Sequence, residues 1–165
     1  DPYFNKPWMS TNLVTFWTRF TFHYREFLVR CFYYPVFFKY FKNNLTLRVC
    51  FATFAAVTVG NFAWHMTEGM YYGHMDFEVF GEILFTLPYF ILLAIGIAGT
   101  ELYLLRKKST RKAWALDRYW ITDFISMYST IQFYSLIHIF AKPAGGSTVM
   151  DCTKLFLKGF GIDID

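Results

Sequence analysis

The chain has 165 residues, of which 55% are hydrophobic and 17% are charged, and its formal net charge is +4. Because a soluble domain usually carries about a quarter of its residues as charged side chains, this composition argues against both a soluble domain and disorder. The net charge is too small for a nucleic-acid partner. The Lys and Arg residues also cluster at the ends of apolar segments instead of forming a basic stripe. We therefore expect an integral membrane protein.

The start of the chain carries no recognisable targeting signal. It opens with the polar and proline-containing sequence Asp1-Pro2-Tyr3-Phe4, without an initiator methionine and without the apolar core of a signal peptide. We therefore expect either a processed product or the later part of a longer polypeptide.

The first predicted element is an aromatic-rich helix between Leu13 and Tyr40. Its charged residues are too frequent for a helix that faces lipid all round; they are Arg19, Arg25, Glu26 and Arg30. This pattern suits a helix that lies at the membrane interface or is buried among other helices. We expect Ser10, Thr11 or Asn12 to cap its start and Pro35 to break it.

Three later stretches contain no Asp, Glu, Lys or Arg: Val49–Thr67, Ile83–Thr100 and Phe124–Ala141. About 20 predominantly apolar residues cross a bilayer, and a spanning segment must satisfy its backbone internally, so all three should be helices. We predict an all-α membrane protein with spans over about 46–66, 82–104 and 119–141. Pro88 is expected to kink the second span.

The charges in the loops predict the orientation of these spans. A basic loop follows the second span, with Arg106, Lys107, Lys108, Arg111 and Lys112, and it should face the cytoplasm. The loop before the second span is acidic, with Glu68, Asp76 and Glu78, and it should face outside.

Small residues recur every four positions in the first span, at Ala52, Ala56 and Gly60. Such a stripe allows helices to approach closely in lipid, where apolar side chains alone favour no partner helix. Besides membrane lipid, we therefore expect further transmembrane helices as partners, either from the same protein or from other membrane subunits, in a larger multi-helix bundle.

His65 is the most informative of the four histidines. It follows Trp64 at the outer end of the first span. Ionisable residues at membrane depth are costly to keep there, so they usually serve a function. The ordinary pKa of histidine, about 6.5, suits proton transfer at neutral pH. The simpler alternative is a histidine among lipid headgroups beside an interfacial tryptophan.

Two further groups of polar residues indicate a function less strongly than His65 does. His65, Glu68, His74 and Asp76 have metal-ligating side chains, but Gly69 and Gly73 interrupt them, so we expect a hydrated loop and no metal. His23, with Arg19 and Arg25 nearby in sequence, could contact an anionic group or simply anchor its helix at the interface.

Three stretches carry a family resemblance, and together they span nearly the whole chain. They are Asp1-Pro2-Tyr3-Phe4-Asn5-Lys6-Pro7-Trp8 followed by Phe16-Trp17-Thr18-Arg19-Phe20, then Trp64-His65, and then Ile139–Pro143 through Lys154–Leu157. In their order and separation the chain resembles the later half of the membrane-bound O-acyltransferase (MBOAT) family, especially its bacterial branch that acylates polymers of the cell envelope.

The resemblance implies that residues 1–165 form the C-terminal part of an MBOAT-like membrane domain in a bacterial inner (plasma) membrane. Such an enzyme transfers an acyl group, in the first place acetyl, from a thioester donor. The donor is either acyl-CoA or an acylated carrier protein. The acceptor is a hydroxyl, for example of a cell-surface polymer or an extracytoplasmic acceptor protein. No bound cofactor is implied. His65 takes the place of the family's invariant histidine, which the resemblance implies is the general base.

The chain departs from the family pattern at a second histidine. That histidine directly follows the aromatic lead in the bacterial branch, whereas Thr21 stands there in this chain and His23 comes two residues later. The resemblance thus assigns catalysis to His65, His23 and Thr21, and substrate binding to Arg19, Trp64 and Asn61. The alternative is a non-catalytic MBOAT-like subunit that supports a larger membrane complex.

Overall fold

A computed structural model describes residues 5–71, 77–110, 120–141, 148–159 and 161–162, and every regular element in these ranges is helical. The α-helices are α1 (Leu13–Phe20), α2 (Phe22–Leu28), α3 (Tyr34–Lys39), α4 (Leu45–Phe54), α5 (Asn61–Tyr71), α6 (Phe77–Phe85), α7 (Leu87–Thr110), α8 (Trp120–Ile137) and α9 (Val149–Lys158). Two π-helical segments, Val29–Tyr33 and Ala55–Gly60, join α2 to α3 and α4 to α5. The all-helical class is confirmed.

The aromatic segment begins where its caps predicted but breaks at another residue. Asn12 caps α1, because its side-chain oxygen accepts the backbone N–H of Thr15 at 2.8 Å. The helix is interrupted at Thr21, whose φ of −145° and ψ of 69° are not helical. The predicted break at Pro35 is wrong. Pro35 lies just after the π-helical segment Val29–Tyr33, whose turn shifts the backbone hydrogen bonds from the ordinary α pattern, and the helix continues without a break to Lys39.

Two helices in the described part of the chain are long and apolar enough to cross a membrane. The first, Leu45–Tyr71, runs through α4, the second π segment and α5. The second, Ile83–Lys107, includes a turn at Thr86 and most of α7. This turn lies two residues before Pro88, which occupies the first turn of α7, and the expected kink at Pro88 stays a prediction.

The third predicted span is a helix, but the structure does not support a count of three spans. The helix α8 covers 18 residues, and within the described residues only the two helices above combine the required length and apolarity. The reason lies in its polar side chains, which include Thr122, Asp123, Ser126, Ser129, Thr130, Gln132 and Ser135. Residues 124–141 contain no charged side chain, but their uncharged polar side chains make the segment less apolar than the prediction assumed.

The small-residue stripe of the first long helix is buried, as predicted. Ala52 and Ala56 have no exposed surface. At Gly60, a side chain would meet its neighbour closely, since an added Cβ would lie 2.7 Å from Cδ2 of Leu28 and 3.1 Å from Cδ2 of Phe32. The stripe therefore lets the two π-helical segments and their flanking turns pack against each other.

The main core connects the aromatic segment to the long helices. Its buried members come from α1, the second π segment, α7 and the end of α8: Leu13, Val57, Leu93, Ala94, Ile97 and Ile137. Burial of such side chains contributes about 1.5–3 kcal/mol each for the larger ones. This core fixes α1 against α7, the second π segment and the end of α8.

Candidate functional site

His65 lies on α5, one turn after the second π segment, and its ring is held against α7. The imidazole stacks on the ring of Phe90, with centroids 5.6 Å apart and planes inclined by 21°. About 45% of the His65 side chain is exposed. The ring is thus restrained on one face and open to a ligand elsewhere.

Glu68 is the charged neighbour of His65 on the same helix. Its Oε2 atom lies 3.4 Å from Nδ1 of His65. The pairing arises because α5 continues to Tyr71, so that residues three apart share one face. The shared face expected for these two residues is therefore present.

A cavity of about 560 Å³ brings His65 together with residues from the break in the aromatic segment. It is lined by Thr21, His23, Tyr24, Phe27, Trp64 and His65. We call this cavity the histidine cleft. All three residues that the resemblance assigned to catalysis line it, as does Trp64.

The walls of the histidine cleft are aromatic and interlocked. Tyr24 packs edge-on against Trp64 with centroids 5.1 Å apart, and Phe27 does the same at 5.8 Å. The Tyr24 hydroxyl donates a 2.9 Å hydrogen bond to Oδ1 of Asn61. These contacts fix α2 against α5 at the level of the cleft.

Two of the predicted substrate-binding residues lie outside the lining of the histidine cleft. Asn61 is buried, and its side-chain amide donates to the carbonyl of Val57, so it orients Tyr24 from behind the cleft. The Arg19 guanidinium, at the end of α1, donates to the carbonyl of Met9 at 3.1 Å. A role for either residue in substrate binding stays a prediction.

The other candidate ligands do not join this group. His138 lies at the end of α8, with its ring 5.7 Å from those of Tyr89 and Tyr134. His74 and Asp76 of the possible metal set lie outside the described residues. Across the segments that the structure describes, no three His, Cys, Asp or Glu residues are grouped as a metal site would require.

A second polar cluster, around Glu101, was missed at the sequence level. The Glu101 carboxylate accepts hydrogen bonds from the Tyr33 hydroxyl at 2.9 Å and the Thr53 hydroxyl at 3.2 Å. Burial and then the Glu101 charge raise the pKa of Tyr33, which keeps this phenol protonated as a donor. The only available signal was a lone carboxylate directly after the charge-free stretch that ends at Thr100.

No family model matches this chain. It also has no significant match among curated proteins or among solved structures. The resemblance to MBOAT proteins therefore rests on the short sequence motifs alone and stays a prediction.

The histidine cleft combines groups that can move a proton with walls that are largely aromatic. A neutral imidazole can accept the proton of a hydroxyl nucleophile, and Thr21 and His23 supply further hydrogen-bonding groups in the same cavity. The aromatic side chains make most of the remaining lining. General acid–base chemistry on a hydroxyl-bearing ligand is the reaction type that such a set supports.

Proposed function

We propose that this chain is the C-terminal part of a membrane-embedded O-acyltransferase in which His65 is the general base. One observation carries the proposal: Thr21 at the break between α1 and α2, His23 on α2 and His65 on α5 line a single cavity. The short motifs described above suggest the MBOAT family, its acyl-thioester donor and a bacterial inner-membrane location as parts of the same proposal.

The reaction forms one ester bond and breaks one thioester bond. The acceptor hydroxyl attacks the carbonyl carbon of the thioester while His65 takes the hydroxyl proton. The carbon–sulfur bond then breaks, and the proton passes from the imidazolium to the departing thiolate. A positioned base contributes about 10²–10⁴-fold to such a step. Thr21 and His23 would donate hydrogen bonds to the oxyanion that develops on the carbonyl.

The two long helices give the proposed enzyme its membrane context. In this proposal Leu45–Tyr71 and Ile83–Lys107 cross the bilayer side by side. Because Arg106 and Lys107 end the second helix, that end faces the cytoplasm and the histidine cleft faces the opposite leaflet. Further helices, from the same protein or from another subunit, would enclose the donor and the acceptor.

The test is acyl transfer by the protein in lipid nanodiscs, with a radiolabelled acetyl thioester and a polysaccharide acceptor. Substituting His65→Asn should lower the transfer rate by about 10²–10⁴-fold because it removes the base. The matched control is His138→Asn, since His138 is an exposed histidine outside the histidine cleft. Unchanged transfer in His65→Asn would overturn the assignment.

A non-catalytic subunit of a larger membrane complex is the second candidate, and one observation favours it. Large apolar side chains are exposed on elements outside the two long helices, among them Trp8, Met9, Phe27, Tyr34 and Phe38. Lipid or a protein partner must cover such side chains in a membrane. Purification of a stoichiometric complex without acyl transfer, in wild type and in the His65→Asn variant alike, would favour this candidate.

A further inference from the structure

We propose that Glu68 is a positioning residue for His65, an inference that rests on the proposed function of His65 as a base. The two side chains lie one turn apart on α5, with Nδ1 of His65 and Oε2 of Glu68 separated by 3.4 Å. Neither the family resemblance nor the cleft lining assigns Glu68 a role.

The chemistry of imidazole explains why this contact matters. A neutral imidazole carries its proton on one nitrogen and offers the other as an acceptor, and the hydrogen bond made by one nitrogen selects the state of both. The Glu68 carboxylate lies 3.4 Å from Nδ1, and its negative charge attracts a proton on that nitrogen, so Glu68 favours the tautomer with a proton on Nδ1. The lone pair of His65 is then on Nε2.

The surroundings of His65 hold the imidazole so that the Nδ1–H tautomer leaves the Nε2 lone pair for a ligand in the histidine cleft. Phe90 stacks on the imidazole face, which restrains rotation of the ring. His65 lines the cleft while its Nδ1 faces Glu68, so Nε2 is the nitrogen left for a hydroxyl ligand. Glu68 itself does not line the cleft, and it acts only through the histidine.

The direct test reads the tautomer of His65 without depending on enzymatic activity. The protein is labelled with ¹⁵N-histidine in lipid nanodiscs, and the ring nitrogen shifts are recorded near pH 8.5, about two units above the ordinary pKa of histidine. The His65 signals are identified by their loss in His65→Asn. The variants compared are Glu68→Ala and, as matched control, Thr67→Ala, whose exposed hydroxyl donates to the carbonyl of Ala63.

Glu68→Ala should lower the ratio of the Nδ1–H to the Nε2–H tautomer by about 1.5- to fivefold, the range for a contact between half-exposed charged side chains. Thr67→Ala should leave that ratio unchanged. In acyl transfer, Glu68→Ala should lower kcat by a similar factor with little change in KM.

Two outcomes separate this inference from the proposed function. An unchanged tautomer ratio in Glu68→Ala overturns the positioning role, whatever the activity. A changed ratio in Glu68→Ala, together with full acyl transfer by His65→Asn, supports the contact between the two side chains and overturns the assigned function of the histidine.

Discussion

Single side chains behind the histidine cleft determine its shape as much as those that line it. Asn61 is buried on α5 and receives the hydroxyl of Tyr24 across the junction with α2. Tyr24 in turn supports the ring of Trp64. The hydrogen bond is therefore a specific link between the two helices that carry the candidate catalytic histidines.

Tyr24→Phe should destabilise the protein by about 1–3 kcal/mol. The substitution keeps the ring against Trp64 but leaves the buried Oδ1 of Asn61 without its donor, and a buried unsatisfied acceptor costs that much. The free energy of unfolding, measured by denaturant titration in detergent, checks the value.

Tyr128→Phe is the matched control for this loss, because Tyr128 on α8 is 61% exposed. It should change the free energy of unfolding by less than about 0.5 kcal/mol. Equal stability of Tyr24→Phe and Tyr128→Phe would show that the Tyr24–Asn61 link contributes nothing.

The sequence predicted the site residues that stand out chemically but not those that act through a neighbour. The Trp64-His65 pair and His23 were identified from residue type and position, and all three line the histidine cleft. Glu101 was missed because it directly follows a charge-free stretch. A carboxylate at that position is typical of the end of a membrane span and does not by itself indicate a polar cluster. Its hydrogen bonds to Tyr33 and Thr53 connect residues that are far apart in sequence, which spacing alone does not reveal.

Among the helices, the contact between the two π-helical segments depends on the absence of a side chain at Gly60. Leu28 has no exposed surface, and its Cδ2 atom would lie 2.7 Å from a Cβ at position 60. Any larger residue must push Leu28 and Phe32 away from the helix. Because Leu28 is the last residue of α2, which carries His23, that displacement would reach the histidine cleft.

Gly60→Val should therefore destabilise the protein by about 1–3 kcal/mol through overpacking. Gly99→Ala on α7 is the control, because a Cβ there meets no atom within 4 Å and alanine favours helix over glycine. Unfolding midpoints in detergent compare the two. A Gly60→Val variant as stable as Gly99→Ala would contradict the close approach of these segments.

The helices themselves were predictable to the extent that local patterns determine them. Absence of charge located the long helices, and Asn12 was among the expected caps. The break lies at Thr21 and not at Pro35: Thr21 leaves the helical region, whereas Pro35 lies just after a π-helical segment in a run that stays helical from Phe22 to Lys39. For α8, uncharged polar side chains make the helix too polar to count as a span, and the absence of charged residues does not reveal them.

Taken as a whole, the molecule has a polar cluster toward each end of its two long helices. His65 contacts Phe90 near the start of α7, and Glu101 lies eleven positions further on. That separation corresponds to about 16 Å along a helix. The Glu101 cluster ties α7 to α4 and to the first π segment, and so supports the helices that carry the histidine cleft at the other end.

The central claim is that His23 and His65, supplied by different helices, act as one catalytic unit. A double-mutant cycle of acyl-transfer rates tests it most directly, with His23→Ala, His65→Asn and the combined variant in the same nanodiscs. Residues that act as a unit are strongly non-additive, so we predict that the combined variant is little slower than the slower single variant. Rate losses that multiply, or a His23→Ala variant as fast as wild type, would contradict the claim.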